Sequence, residues 1–408
     1  MPKYAIHLFM PATVLLLSAI LIALPSTGAA AGSPAAGSPG APIIPAPPQL
    51  AAEGYLLLDA DTGRVLVEHN SKQRLPPASL TKIMTSYVAA EEIERGTLTE
   101  TEEVDVSVKA WRMEGSRMFI QEGTKVSVDQ LLKGIIIQSG NDASVAMAEH
   151  IAGGEDAFAD VMNQHAMRLG MSDTNFKNAT GLPDEDHYTT ASDLAKLTIA
   201  LINRHPEHYK LYSEKSFRYN EINQSNRNKL LWADRSVDGV KTGHTEAAGY
   251  CLVASAVRNN MRLISVVMGT KSEKARATES QKLLSYGFRY FETVRLYDAR
   301  EILNTVRLWN AEVSSVSMGL GEAVVITLPR GSKGSLSATM DVESVILGPI
   351  SAGQALGQLT VSMGDNVVYE GPLIALADIP EAGFFKRMWH SLSLFFLQLF
   401  GGDPLKIP

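Results

Sequence analysis

The sequence contains a single cysteine, Cys251, among 408 residues. One thiol can form neither an intramolecular disulfide nor a thiolate metal cluster, so we expect Cys251 to be a small packed side chain. The nine histidines show no spacing typical of a metal site, and the sequence has no glycine-rich phosphate-binding loop. We therefore expect the protein to use no metal and no cofactor.

An excess of positive charge is also missing. The 37 Lys and Arg residues are outnumbered by 44 Asp and Glu, which leaves a formal net charge of −7. This mildly acidic balance argues against nucleic acid as a partner, because nucleic-acid binding requires a basic surface. Hydrophobic residues make up 45% of the chain and charged residues 20%, which is typical of a globular protein. The length suggests two or three domains.

Residues 1–31 have the pattern of a secretory signal peptide. Lys3 supplies the positive charge, residues 8–24 are almost wholly apolar, and residues 29–31 are the small residues of a cleavage site. The alternative is a retained membrane anchor, because the apolar run approaches the ~18 residues that span a bilayer. Residues 32–49 are mostly Ala, Gly, Ser and Pro, which predicts a linker. We expect the protein to be exported.

The pattern of residues 50–297 predicts an α+β domain. Apolar runs on either side of turn residues predict β-hairpins within residues 55–67 and 249–268. Apolar residues at helical spacing follow Ser79 and recur over residues 128–138, and a further helix is predicted just beyond.

The remainder of the chain contains two segments with different sequence patterns. Residues 298–381 predict a small all-β domain, with short β-like segments at 323–328, 335–342, 358–363 and 366–369. Residues 383–401 predict an amphipathic helix with a large aromatic load. Its polar arc contains Lys386, Arg387, His390, Ser391, Ser393 and Gln398, and two leucines intrude on that arc, Leu394 and Leu397. Such a helix is typical of an anchor at a membrane surface; the alternative is a helix docked on its own protein.

Three short motifs indicate nucleophilic catalysis, namely Ser79-Leu80-Thr81-Lys82, Ser139-Gly140-Asn141 and Lys241-Thr242-Gly243. A serine hydroxyl needs an adjacent base, and a lysine three residues later on a helix shares its face. Lys82 must be uncharged to act as that base, and burial or a second cation such as Lys241 lowers a lysine pKa. Backbone N–H groups at a helix N-terminus can stabilise an oxyanion.

The other two motifs supply polar groups around this pair. Ser139 could relay a proton to the leaving group, and Asn141 could hold Lys82 and the substrate amide in line. Lys241 and Thr242 offer a charge and a hydroxyl to a substrate carboxylate, and Gly243 permits a close approach of the backbone. Taken singly, each motif could be only a helix cap, a turn or a loop. The occurrence of all three in this order favours catalysis.

These motifs resemble those of penicillin-binding proteins and class A β-lactamases. More narrowly, the chain resembles the low-molecular-mass D-alanyl-D-alanine carboxypeptidases, over nearly all of its length after the linker. The stretches that carry the likeness are residues 77–85, 137–143, 226–228, 237–245 and 383–385. The resemblance implies a transpeptidase- or β-lactamase-like domain, an antiparallel sheet with helices, followed by a small all-β domain and a C-terminal amphipathic helix.

The resemblance also implies roles for individual residues. Ser79 would form the acyl-enzyme with Lys82 as base, and Ser139 and Asn141 would complete the centre. Substrate would be bound by Lys241, Thr242, Gly243, His244, Arg227 and Arg276, with backbone N–H groups of Ser79 and His244 forming the oxyanion hole. Lys271 and Lys274 are alternatives to Arg276.

The implied activity is removal of the terminal D-Ala from peptidoglycan pentapeptide, with covalent inhibition by β-lactam antibiotics such as penicillin. The expected location is the periplasmic face of the bacterial inner membrane, with the terminal helix on the membrane surface. A DD-endopeptidase, a β-lactamase and a non-catalytic peptidoglycan-binding module remain alternatives. The β-lactamase is disfavoured because the chain lacks a Glu-x-x-Leu-Asn element and has Ser-Gly-Asn instead of Ser-Asp-Asn.

Overall fold

A computed structural model describes residues 6–7 and 44–407 of the chain. The predicted signal peptide 1–31 and the predicted linker 32–49 lie outside the described residues, except for residues 6–7 and 44–49. The chain divides into two compact units, Pro45–Thr293 and a second unit that comprises Met1–Ile44 and Val294–Pro408. Strand β1 (Ile6–His7) belongs to the second unit.

The first unit is built on a five-stranded antiparallel sheet in the order β3-β2-β10-β9-β8. The strands of this unit are β2 (Gly54–Asp59), β3 (Val65–His69), β4 (Glu103–Asp105), β5 (Lys125–Ser127), β6 (Ser216–Tyr219), β7 (Ile222–Ser225), β8 (Val237–Thr245), β9 (Gly249–Arg258) and β10 (Met261–Thr270). Strands β4 and β5, and strands β6 and β7, form separate two-stranded sheets. Both predicted hairpins are confirmed as β2–β3 and β9–β10.

Nine helices accompany these strands in the described part of the unit. They are α1 (Lys82–Arg95), α2 (Val108–Trp111), α3 (Val128–Lys133), α4 (Asn141–Ala152), α5 (Glu155–Arg168), α6 (Ala191–Arg204), α7 (Pro206–Tyr209), α8 (Leu230–Ala233) and α9 (Glu273–Tyr290). Short 3₁₀ turns cover Ala78–Thr81 and Lys210–Ser213, and a π-helical segment covers Gly134–Gln138.

Apolar side chains of α1 and α6 pack with those of the sheet in one core, as expected for an α+β architecture. Tyr87 and Val88 of α1, Leu194 of α6 and Val266 of β10 are all buried there. Burial of so many apolar side chains is the main stabilising contribution to the unit. This packing places the 3₁₀ turn that carries Ser79, just before Lys82 and α1, beside strand β8.

The second unit is an all-β domain that ends in a helix. Its strands are β11 (Phe291–Tyr297, which begins before the boundary), β12 (Asn304–Arg307), β13 (Ser315–Gly319), β14 (Val324–Pro329), β15 (Leu336–Val342), β16 (Ala355–Met363) and β17 (Asn366–Ala375), with a 3₁₀ turn at Lys333–Ser335, and helix α10 covers Phe384–Leu399. The sheet order is β1-β15-β16-β17-β13-β12, with β11 paired to β14. The four predicted β-like segments are confirmed as β14 to β17, and the terminal helix is confirmed as α10. Strands β11 to β13 were not predicted. No helix in the described part of the chain is long and apolar enough to cross a membrane.

A buried carboxylate in the first unit organises the segment before α3. Asp142, in the first turn of α4, is 1% exposed. Its oxygens accept hydrogen bonds from the backbone N–H groups of Met118, Phe119 and Ile120 at 2.8–3.2 Å, and from its neighbour Ala143. These bonds satisfy donors that have no strand partner, so Asp142 fixes the chain beside the second motif.

We expect Asp142→Ala to lower the free energy of unfolding by about 3 kcal/mol or more, because the substitution leaves buried N–H donors without a hydrogen-bond acceptor. For a unit of this size, that corresponds to a fall in melting temperature of about 6 °C or more in differential scanning calorimetry. The control is Asp129→Ala, whose half-exposed i,i+4 ion pair with Lys133 spans 2.9 Å and contributes about 0.5 kcal/mol. Equal melting temperatures for the two variants would contradict this role of Asp142.

Candidate active site

Ser79 and Lys82 lie side by side at the entrance to α1. Ser79 is half-buried in the 3₁₀ turn Ala78–Thr81, and Lys82 is the first residue of the helix. Because residues i and i+3 of a 3₁₀ turn lie above one another, Lys82 Nζ comes within 3.2 Å of Ser79 Oγ. The expected contact between the two side chains is therefore present, although the turn is tighter than the α-helix that was predicted.

Lys82 is 1% exposed and has three oxygen neighbours. Besides Ser79 Oγ, they are Asn141 Oδ1 at 2.7 Å and the Thr180 carbonyl oxygen at 2.6 Å. Burial lowers the pKa of Lys82 to about 7, which the nearby Asp142 carboxylate opposes and the Arg227 guanidinium reinforces. A lysine with this pKa is uncharged in a large fraction of molecules near neutral pH.

Lys241, Thr242 and Gly243 form part of strand β8, at the edge of the sheet. Lys241 is 3% exposed, and its amine donates to the Thr242 carbonyl at 3.2 Å. Burial lowers the pKa of Lys241 well below its usual value, and the charges of Lys82, Arg227 and Arg276 add to the effect. The second cation that lowers the pKa of Lys82 is Arg227, whereas Lys241 was predicted in that role.

Gly243 is required by the protein's own chain. A Cβ atom at this position would lie 3.0 Å from the Pro77 carbonyl oxygen and 3.3 Å from Ala78 Cβ. The small residue lets strand β8 pack directly against the turn that carries Ser79. The predicted close approach of the Gly243 backbone to substrate stays a prediction.

Ser139 ends the π-helical segment, and Asn141 is the first residue of α4. Ser139 is buried in the left-handed conformation at φ 67°, which is uncommon for a residue other than glycine. Its Oγ has no hydrogen-bond partner among the described residues. The Asn141 amide donates from Nδ2 to the Glu114 carbonyl at 2.7 Å, which directs Oδ1 toward Lys82.

The remaining predicted residues border the same cleft. Arg276 is 4% exposed and donates to the Gly243 carbonyl at 3.0 Å. Arg227 is exposed and donates to the Gln138 carbonyl at 3.2 Å. The His244 ring is exposed and stacks on Tyr250 at 3.9 Å between ring centroids. The cleft therefore combines a serine, an uncharged amine and several cations, which suits acyl transfer from an anionic substrate.

Sequence reasoning missed the Thr180 carbonyl, since a backbone acceptor leaves no motif of its own. The available signal was the run Asn178-Ala179-Thr180-Gly181, because asparagine and glycine at this spacing are typical of a tight turn. A groove of about 530 Å³ opens next to this turn, and Ala78, Gly181, Thr245 and Ala247 are among its lining residues.

Comparisons with known proteins agree with this fold. Residues 41–272 match the family described as D-alanyl-D-alanine carboxypeptidase (peptidase S11), and residues 291–381 match the family described as penicillin-binding protein 5, C-terminal domain. The chain is 42% identical to the D-alanyl-D-alanine carboxypeptidase DacC of Escherichia coli, over 87% of this chain and 90% of the relative. DacA of the same organism is also 42% identical, over 88% of this chain and 91% of DacA.

Solved structures give the same result. The crystal structure of penicillin binding protein 5 from Haemophilus influenzae is 40% identical and superposes with a TM-score of 0.78, over 82% of this chain and 99% of that one. The arrangement of a helix-and-sheet domain followed by an all-β domain is therefore that of penicillin-binding proteins, as the resemblance implied.

We expect Gly181→Ala to disrupt the contact between the Thr180–Gly181 turn and the turn that carries Ser79. Gly181 has φ 82°, and a Cβ would lie 1.8 Å from the Ala78 carbonyl oxygen. Gly170→Ala is the matched control, because Gly170 has φ 69° with nothing within 4 Å of its Cβ position. The control should cost about 1–2 kcal/mol of backbone strain, and Gly181→Ala at least about 2 kcal/mol more, measured by chemical unfolding. Equal losses would contradict this close approach.

Proposed function

The chain belongs to the peptidase S11 family of D-alanyl-D-alanine carboxypeptidases, and we propose that Ser79 is its acylated nucleophile. The protein is a serine peptidase that hydrolyses a terminal D-Ala-D-Ala bond. Its substrate is peptidoglycan pentapeptide, and β-lactam antibiotics are its covalent inhibitors. The observation that carries the assignment of Ser79 is its 3.2 Å contact with a buried lysine whose pKa is lowered to about 7.

In the acylation step, the uncharged amine of Lys82 removes the proton from Ser79 Oγ as this oxygen attacks the carbonyl carbon of the penultimate D-Ala. The developing oxyanion accepts hydrogen bonds from the backbone N–H groups of Ser79 and His244. Collapse of the tetrahedral intermediate breaks the amide C–N bond and leaves an ester on Ser79. The leaving D-Ala amine takes a proton through Ser139, whose Oγ has no other partner among the described residues.

Deacylation reverses this proton movement. Water replaces D-Ala, the same base removes its proton, and hydrolysis of the ester restores Ser79 and releases the shortened peptide. Asn141 contributes by accepting from Lys82 at 2.7 Å, which keeps the amine in the cleft through both steps.

The terminal carboxylate of the substrate binds on the cationic side of the cleft. Lys241, Thr242 and Arg276 lie on or beside strand β8, and Arg227 is bonded to the Gln138 carbonyl next to Ser139. A carboxylate placed there directs the scissile carbonyl toward Ser79. The preceding part of the peptide then follows β8 beyond His244, toward Thr245, Ala247 and the groove that they line.

We expect Ser79→Ala to abolish both the benzylpenicillin adduct and the release of D-Ala from a pentapeptide, because the ester forms on Ser79 Oγ. Mass spectrometry of penicillin-treated protein should place the adduct on the peptide that contains Ser79. Ser139→Ala should still acylate but turn over more slowly, by roughly 100-fold for loss of a proton relay. An adduct that persists in Ser79→Ala would contradict the assignment.

We further propose a division of labour along the chain. Residues 1–31, which include β1, direct export and are removed. Residues 32–49 link this segment to the catalytic domain of residues 50–297, and residues 298–381 form a support for the terminal helix. The enzyme would then act at the periplasmic face of the inner membrane, where its substrate lies.

Helix α10 (residues 383–401 in the prediction) is proposed to bind the membrane surface with one face. Its apolar side chains point to solvent, with exposed fractions from 47% for Phe396 to 81% for the flanking Phe400. This exposed apolar face comprises Phe384, Phe385, Met388, Trp389, Leu392, Phe395, Phe396, Leu399 and Phe400. So large an apolar patch requires a partner, and a helix of 16 residues suits the interface better than a span.

The opposite face of α10 is held by its own domain. His390 Nδ1 accepts from the Asn310 backbone N–H at 2.9 Å, Lys386 donates to the Glu312 carbonyl at 2.6 Å, and Arg387 pairs with Glu381. Leu394 and Leu397, which interrupt the polar arc, are half-buried. The docked helix of the alternative prediction and the membrane helix are thus compatible, since the two roles use opposite faces.

We expect removal of the residues after Ala382 to release the enzyme from membranes. Because this deletion also removes Pro404, whose carbonyl accepts from the buried Trp309 at 2.9 Å, a second variant is needed. Trp389→Glu with Phe396→Glu should weaken binding to lipid vesicles at least about 100-fold, through loss of apolar burial. The control Val367→Glu, at another exposed apolar residue, should bind as the wild type does. Undiminished sedimentation of the double variant with vesicles would contradict the anchor.

A further inference from the structure

The hydrogen bonds of Lys82 determine where its lone pair points. An uncharged amine has two N–H donors and one lone pair. Two of its three neighbours, Asn141 Oδ1 and the Thr180 carbonyl, only accept, and they lie at the short distances of 2.7 and 2.6 Å. Both N–H groups are therefore committed to these oxygens, and the lone pair is left to face Ser79 Oγ at 3.2 Å.

We propose that the loop of residues 177–187 aims this lone pair at Ser79, with Asn178 and His187 as its positioning residues. The inference rests on the proposed function in one respect, the role of Lys82 as base. It adds that the Thr180 carbonyl orients the amine and that two side chains outside the three motifs hold this carbonyl in place.

Asn178 holds the turn that presents the Thr180 carbonyl. Its Oδ1 accepts from the Thr180 N–H at 3.1 Å, the Thr180 hydroxyl at 3.0 Å and the Gly181 N–H at 2.7 Å. Its Nδ2 donates to the Leu182 carbonyl at 3.0 Å. One side chain thus bonds to three successive residues, so the peptide plane after Thr180 has little freedom to rotate.

His187 closes the far end of the loop onto the nucleophile's turn. Its Nδ1 accepts from the Lys177 backbone N–H at 3.3 Å, so Nε2 carries the proton and donates to Thr81 Oγ1 at 2.9 Å. The ring is 3% exposed, and burial lowers the pKa of His187 to about 4. It therefore keeps this neutral tautomer over the pH range in which Lys82 titrates.

A third contact fixes the loop along α1. The Ala179 carbonyl accepts from Thr85 Oγ1 at 2.7 Å. The loop is thereby bonded to Thr81, Lys82 and Thr85, which lie on consecutive turns at the start of the helix. It cannot shift without breaking bonds to the element that carries the base.

Loss of the Thr180 acceptor and simple loosening of the loop should change the pKa of Lys82 in opposite directions. A carbonyl acceptor also stabilises the protonated amine, so its loss lowers the pKa of Lys82 further while the lone pair loses its aim. The acylation rate at high pH should then fall, and the midpoint of its acid limb should move to lower pH. A loop that only excluded water would, on loosening, hydrate the amine and raise its pKa instead.

The test is the rate of benzylpenicillin acylation of the full-length enzyme, from about pH 5 to about pH 9. The wild-type rate should rise with pH and level off above about 7, because Lys82 must lose its proton. In Asn178→Ala the plateau should fall about tenfold or more, with the midpoint below that of the wild type. The matched control is Asn175→Ala, which removes only a 2.7 Å bond to the Asp186 carbonyl and should leave plateau and midpoint unchanged.

A conservative variant distinguishes loss of the lone-pair orientation from a general disruption of the fold. Asn178→Asp keeps an acceptor oxygen for the Thr180 and Gly181 N–H groups and loses only the Nδ2 donor to the Leu182 carbonyl, so it should restore the plateau to within about threefold of the wild type. A wild-type profile for Asn178→Ala, or a midpoint that moves upward, would overturn the role of the loop. If the wild type itself lacked an acid limb or a Ser79 adduct, the proposed function would fail instead, so the two failures are distinguishable.

Discussion

The contact between an uncharged amine and a serine hydroxyl is the constraint on which the first unit depends. Lys82 at 1% exposure costs stability, because a buried amine gives up either its charge or its hydration. The fold offsets that cost with two carbonyl-type acceptors at 2.6 and 2.7 Å and with the Asp142 carboxylate near by. Burial makes the lysine a base near neutral pH, and the Asp142 carboxylate keeps its pKa from falling further.

Each neighbouring element contributes a restriction on this pair. Strand β8 packs closely against the serine turn at Gly243, and the Thr180–Gly181 turn approaches it closely enough that a side chain at Gly181 would clash. Ser139 is held in a left-handed conformation with its hydroxyl unpartnered among the described residues. Such local strain and unsatisfied polarity are expected at sites that a ligand completes. The cleft is therefore organised before substrate arrives, which is the condition for electrostatic stabilisation of a transition state.

The all-β unit determines which face of α10 is exposed. Without specific contacts, the apolar face of this helix would pack against its own domain. The polar face of α10 is bonded to backbone groups at Asn310 and Glu312. Those bonds orient the aromatic face outward. Since Lys386 and Arg387 are already engaged, the apolar face is the part of the helix that remains available to a partner.

Local chemistry was readable from the sequence alone. The 3.6-residue spacing after Ser79, the turn residues between β2 and β3 and the polar arc of α10 each depend on neighbours in the chain, so pattern and structure agree there. The three motifs likewise indicated the type of reaction, because nucleophilic catalysis by serine requires particular side chains. Tertiary structure alone decided what surrounds them: the Thr180 carbonyl on Lys82, the bonds of Asn178 and His187, the cap formed by Asp142 and the burial that lowers the lysine pKa. No residue type identifies a backbone acceptor or a buried position in the sequence. Both arise where segments about a hundred residues apart in the chain come into contact.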